Sequence, residues 1–503
     1  MKGLKTIFLF LIFFTLIHLF GCAKSPSGPD TIENSYNYFV NIPSLGIDAL
    51  HIRLQIYKPE PGDSIRLLAP PIYADNPWLE PTASNFHNVS VVDAADKPIE
   101  YVSDSVAVGL YKSLSISLPN CDSILTIDYD VTFNYVDTVN MPVPYIDNVS
   151  GYLQGSYIFL IPYNSIGMAD IWRSNYNISV NYSVATNISF YGDPAPLTYF
   201  DNPYELLFST GALNANLLAQ GETGDQPYQF VFLPKGEAIN PQLVQKVKED
   251  FEIILNDITS IFNPFINTPV SVIFGVNKGG GLEGMYAFSI LNPWENDSTG
   301  WINMILAHEV IHFWIGNRVG DYEDPWWKEG TASYLGYQIA LRNNLCSDYF
   351  INRKLLKNLS NDSGVNAYAL SDPEVRKYIF AQINNCESLV YDKGAQVSML
   401  LDRRIRETSD SRTSLCGVLG EFVKEYDGKA FYRGEYLSYI KNLSGADVSD
   451  IFTDYVETIG AIPDTVLTEN CTALINMGAF GDINLSSIKG DEKELQINAP
   501  TRW

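Results

Sequence analysis

Apolar and polar positions alternate with a period of two through much of the stretch from Tyr36 to Leu233. His51-Ile-Arg-Leu-Gln-Ile-Tyr57, Leu114-Ser-Ile-Ser-Leu118 and Leu125-Thr-Ile-Asp-Tyr-Asp-Val131 each send every second side chain to one face, and Gly, Pro, Asn and Asp clusters separate them. This pattern predicts half-buried strands and an N-terminal β-rich domain over 36–227. Its tyrosines and asparagines would also suit a carbohydrate-binding sandwich, but aromatic side chains are enriched in strands for packing alone. The turn-forming composition of Leu218-Ala-Gln-Gly-Glu-Thr-Gly-Asp-Gln-Pro227 puts a domain boundary close by.

Beyond that point the period becomes helical. Leu243, Val244, Val247, Phe251, Ile254, Leu255, Ile258 and Phe262 recur every three or four residues just after Pro241, predicting a helix with one buried face. A buried strand, Val270-Ser-Val-Ile-Phe-Gly-Val276, runs into the glycine-rich Gly279-Gly-Gly-Leu-Glu283, where backbone can approach a neighbour closely. Helical patterns then dominate to about Thr458. The expectation is a multidomain α+β chain: β-rich first, an α/β segment over 228–345, a helical C-terminal domain over 346–465, and an extension over 466–503 whose role the pattern does not assign.

The first residues fit neither period. Lys2 and Lys5 precede an apolar run from Ile7 to Phe20, broken only by Thr15 and His18. A bilayer-spanning helix needs about 20 residues, so this shorter run reads as a signal peptide, residues 1–21. Leu19-Phe20-Gly21-Cys22 resembles the bacterial lipobox, which makes Cys22 the expected lipidated residue, residues 22–35 a flexible tether, and the bacterial cell envelope the expected location.

Of the 503 residues, 46% are hydrophobic and 18% charged, the balance of a globular chain. With 33 Lys+Arg against 58 Asp+Glu, no clustered basic surface is available for phosphates, which excludes a nucleic-acid partner. Cys121, Cys346, Cys386, Cys416 and Cys471 form no metal-knuckle spacing and suggest no particular pairing.

The chemistry concentrates in His308-Glu309-Val-Ile-His312. Residues four apart share a helix face, so both imidazoles can hold one cation while Glu309 sits beside a metal-bound water as a base. With five histidines in the chain, the pattern should arise by chance in only on the order of 0.003 such sequences. A catalytic zinc takes three protein ligands and keeps one position open. The third candidate is Glu329, in the first turns of a second helix that an antiparallel connection through Asn317–Asp324 can fold back, with Glu323 or Asp324 as the alternative carboxylates.

These residues resemble the gluzincin metallopeptidases, which include the alanyl and glycyl aminopeptidase families. The likeness runs in order through Gly281-Leu-Glu283, His308 to Asn317, Glu329-Gly330 and Tyr391-Asp-Lys-Gly-Ala395. The glycyl aminopeptidase family is the more similar in Gly280 to Glu283, in Tyr391 to Arg406 with Ser414-Leu415, and in Gly445 to Val456. The resemblance covers about residues 228–465. It implies a thermolysin-like catalytic domain over 228–345, one Zn2+ held by His308, His312 and Glu329, Glu309 as general base, Tyr391 as hydrogen-bond donor to the oxyanion, and Glu283 facing the substrate's free amine.

Three departures accompany the likeness. His312 and Glu329 enclose 16 residues, two fewer than in the alanyl family; Gly284 follows Glu283 where Asn or His is usual; and the 38 residues after Thr465 are too few for the PDZ domain that many glycyl-family members carry. The expected function is zinc-dependent hydrolysis of a peptide or protein substrate by a lipid-anchored aminopeptidase. An endopeptidase is the alternative within the clan. The other alternative is a binding lipoprotein with a structural metal, against which Glu309 argues, because a structural site needs no base.

Overall fold

The computed structural model describes residues 35–57, 65–68, 85–108, 111–118, 124–133, 144–162, 177–182, 188–190, 197–200, 206, 209–233, 239–264, 269–277, 281–282, 287–291, 297, 300–321, 324–372, 375, 386 and 388–483. The expectations for Cys22, Cys121, Glu283 and Glu323 lie outside the described residues. The order of elements is strands, then a mixed sheet with helices, then helices, a multidomain α+β arrangement.

The N-terminal half contains a six-stranded sheet in the order 197–200, 177–182, 35–41, 49–57, 124–132 and 86–93, with two four-stranded sheets beside it. Ala49–Tyr57 pairs antiparallel with both Ser35–Asn41 and Ile124–Thr132. The alternation read from the sequence sets which face is buried: Ile52, Leu54 and Ile56 lie opposite Tyr129, Ile127 and Leu125, and all six are fully buried.

A five-stranded sheet follows, ordered Asn216–Thr223, Gln226–Phe232, Val270–Asn277, Ala287–Leu291 and Gly281–Leu282, with the three inner strands parallel. The stretch 218–227, turn-like in composition, is therefore a hairpin. Its two-residue loop, Gly224-Asp225, has positive φ at both positions, and its outer strand is an exposed edge that tolerates Gln220 and Glu222. Helix α1 (Pro241–Ile261) links two parallel strands, as its periodicity predicts. Asn240 caps it by accepting from the Gln242 amide at 2.9 Å, and Phe251 packs edge-on against Tyr228 and Phe230 of the sheet.

Six longer helices follow among the described residues: α2 (Trp301–Ile311), α3 (Pro325–Arg342), α4 (Gly394–Thr408), α5 (Leu415–Tyr426), α6 (Arg433–Ser444) and α7 (Asp464–Asn476), with short helical and π-helical turns between them. One apolar core runs from Tyr228 to Phe480 through sheet and helices, and α7 joins it with Leu467, Cys471 and Leu474. Cys346, Cys386, Cys416 and Cys471 are free thiols, raised well above the usual cysteine value by burial. Among the described residues no helix is long and apolar enough to cross a membrane.

Candidate metal centre

Helix α2 is apolar nearly all round, and its residues from Ile302 to Ile311 are all buried. The Asp297 carboxylate accepts from the Trp301 and Ile302 amides, each at 2.9 Å, satisfying two N–H groups that a helix start leaves open. Asn303 bonds Asp250 of α1 at 2.8 Å, and the Trp314 indole donates to the Asn263 carbonyl at 2.9 Å while stacking on Phe262. The helix ends at Ile311, and Gly316 turns the loop that follows at φ 106°, where a Cβ would strike the Lys328 side chain.

His308 and His312 lie one turn apart with their Nε2 atoms 2.9 Å from each other. Glu329, in the second turn of α3, places Oε2 3.4 Å from His308 Nε2 and 3.1 Å from His312 Nε2. The three are the one group of candidate metal-holding side chains among the described residues, and all are buried. Four donors at the corners of a tetrahedron with bonds of about 2.0–2.1 Å stand roughly 3.3 Å apart, close to this triangle. The ring contacts on the far side point the same way. His312 Nδ1 faces the Ile315 carbonyl at 3.2 Å, which can only accept, so Nδ1 carries the hydrogen and Nε2 a lone pair. His308 Nδ1 lies 3.3 Å from Ser333 Oγ, which can accept its hydrogen in the same way. Two lone pairs and a carboxylate converging on one point repel one another unless a cation lies between them, so the donor set fits a zinc ion.

Burial alone would raise the Glu329 pKa, but the two imidazoles, were they protonated in place of a bound cation, would outweigh it and hold the carboxyl well below the usual carboxylate range. Asp324 is engaged elsewhere: Arg433 grips it through Nε at 2.8 Å and Nη2 at 2.7 Å. Glu309 is also buried, and helix geometry sets it about 100° round α2 from His308 and 60° from His312, flanking the ligand face.

Tyr391 lies in a π-helical turn, Ser388–Lys393, with its ring 5.8 Å from that of His308. Such turns within helices recur at functional sites. This one is held on both sides. Lys354 bonds Asp392 at 3.0 Å, Lys357 bonds the other oxygen of the same carboxylate, and Lys393 donates to the Thr458 carbonyl at 3.1 Å. Lys393 is fully buried, which pushes its pKa down to about 8. The glycines beside Glu329 and after Lys393 touch each other: a Cβ on Gly330 would stand 2.5 Å from the Gly394 backbone. Ser333 is missed by sequence reasoning, although its place one turn beyond Glu329 on the same helix face is a signal that points to it.

Residues 290–455 match the peptidase family M1 domain. The chain therefore carries an M1 catalytic domain, and it is a zinc metallopeptidase of the gluzincin type. One catalytic zinc accompanies the M1 domain. The matched family is M1, whereas the runs around Gly280 and Tyr391 to Arg406 suggested the glycyl aminopeptidases within the same clan. The M1 fold extends over most of the chain. It is similar to an aminopeptidase N family protein from Idiomarina loihiensis, with TM-score 0.64 and 15% identity over 86% of this chain and 78% of that one. An M1 zinc metallopeptidase from Deinococcus radiodurans gives TM-score 0.52 and 15% identity over 86% and 95%. A variant of the same description bound to a Tyr-Ser-Ala substrate gives 0.53 and 14% over 86% and 96%. No curated protein matches the chain.

Proposed function

We propose that this M1 metallopeptidase is an aminopeptidase that removes N-terminal residues from short peptides, anchored by lipid at Cys22 to the bacterial cell envelope. The convergence of His308, His312 and Glu329 with buried Glu309 beside them is the observation that carries the catalytic part. A peptide of the Tyr-Ser-Ala kind, described on a D. radiodurans M1 enzyme, exemplifies the substrate class.

Zinc, when bound, supplies Lewis acidity that polarises the scissile carbonyl and acidifies the attacking water. The two imidazoles and Glu329 hold the ion, with the Ile315 carbonyl and Ser333 hydroxyl keeping each ring in the tautomer that leaves Nε2 free. Glu309 takes the proton of the attacking water and passes it to the leaving amine. The Tyr391 hydroxyl donates to the oxyanion as charge develops, and a donor of that kind is worth on the order of a hundredfold or more in turnover. Glu283 pairs with the α-ammonium of the substrate and sets the cut one residue from its N-terminus.

The reading is tested with matched free and N-acetylated peptides, each with and without a chelator. Release of the N-terminal residue from the free peptide alone, abolished by the chelator and restored by zinc, is expected. Equal cleavage of both at internal bonds makes the enzyme an endopeptidase, and activity indifferent to the chelator removes the zinc mechanism.

A further inference from the structure

The donors of the metal triangle come from two differently supported helices. The imidazoles ride on α2, which is fastened to α1 and its continuation through Asp250, Asn263 and Phe262. Glu329 rides on α3, whose first turn is embedded in the C-terminal helices: Trp327 packs against Phe431 and Tyr436, and Trp326 against Phe452. The loop between them is tied to the same body, by parallel pairing of Val319–Asp321 with Lys429–Phe431 and by the Arg318–Asp427 ion pair. α2 and α3 also pack together, Gly336 lying against the His308 backbone. That contact fixes the separation of the helices two turns beyond Glu329. It leaves the direction of the first turn of α3 to whatever pins its start.

What pins it is Asp324. An aspartate before a helix usually caps it by accepting from the helix amides. Here the side chain makes no such bond; it is buried and clasped in two parallel bonds by Arg433, which reaches on to Glu457 at 2.8 Å. A planar guanidinium on a carboxylate fixes orientation as well as distance. We infer that Arg433 is a positioning residue for the metal centre, holding Asp324 so that Glu329 meets the two imidazoles. This rests on the reading of Glu329 as the third zinc ligand. Arg433 lies 109 residues from Asp324, so the helical C-terminal part takes a share in metal affinity without supplying a ligand.

The experiment measures zinc affinity of metal-free full-length protein by competition with a fluorescent chelator, alongside its urea midpoint. Arg433→Met alone leaves a buried unpaired carboxylate and can fail to fold, so the informative variant is Asp324→Leu/Arg433→Met, which replaces the pair with apolar groups. Its urea midpoint is expected to match the wild type while zinc binds about 10–100-fold more weakly, the usual cost of losing a group that orients a ligand. Arg433→Lys, which keeps the charge but not the fork, is expected to fall between. Should the double variant not fold, Arg433→Lys carries the same comparison. Wild-type zinc affinity in a folded variant overturns the inference. Glu329→Ala separates the two readings: unchanged affinity there removes Glu329 as a ligand, whereas weakened affinity there with none in the Arg433 variants removes only the role of Arg433.

Discussion

Gly330→Ala adds a single methyl group where α3 meets α4. Its Cβ would lie 2.5 Å from both Gly394 Cα and carbonyl carbon and 3.0 Å from the Ala395 amide nitrogen, all backbone atoms that no rotamer change can move. Carbon atoms rest at about 3.5 Å, so the helices must part by about 1 Å. Two effects oppose each other. Alanine is the better helix former by about 1 kcal/mol, whereas overpacking costs about 1–3 kcal/mol, so the net loss of stability is expected to be up to about 2 kcal/mol. Activity should suffer more. Glu329 precedes one glycine and Tyr391 lies three residues before the other, so parting the helices moves the proposed ligand away from the proposed oxyanion donor, and a misplacement of about 1 Å can cost about a hundredfold in rate. The assay pairs kcat on a free-amine peptide with a urea melt. Gly434→Ala is the control, since nothing lies within 4 Å of a Cβ there and the change should stabilise α6. Wild-type kcat in Gly330→Ala, with unchanged or increased stability, would refute the steric argument.

Glu309→Gln is expected to keep the zinc, by metal analysis, and to lose several orders of magnitude in kcat, because proton transfer is removed and no ligand is; retained turnover would take the base role away from Glu309. Tyr391→Phe should lower kcat far more than it raises KM, with stability unchanged, and wild-type turnover would return Tyr391 to packing. Lys393 titrates near 8 in the fold against its usual 10.5, so the unfolded chain holds more protons between these values and this lysine makes stability rise with pH across that window. Lys393→Met should flatten that rise in denaturant melts between pH 8 and 10.5, and an unaltered slope would place the titration elsewhere. Cys22→Ala should release the protein from membranes or stall its processing, read by fractionation and intact mass; identical behaviour to wild type would rule out the anchor.

What the sequence by itself determined is what local repeat geometry encodes. Residues four apart on a helix always share a face, so His308 and His312 could be joined to one cation before any fold was known, and Glu309 placed at their side. Period-two alternation likewise told which side of Ala49–Tyr57 is buried. The turn-like stretch 218–227 does hold a turn at Gly224-Asp225, but only the fold shows that the strand before it, Asn216–Thr223, pairs antiparallel onto the edge of the five-stranded sheet. Only the tertiary structure brought Glu329 within 3.1 Å of His312 while tying Asp324 to Arg433, and only it put one of 31 tyrosines beside His308. The contact of Gly330 with Gly394 and the grip of Arg433 on Asp324 join residues 64 and 109 positions apart. No repeat links such pairs along the chain. They meet because the apolar faces of α3 and the C-terminal helices have one close-packed arrangement, and that packing sets which polar groups are left facing each other.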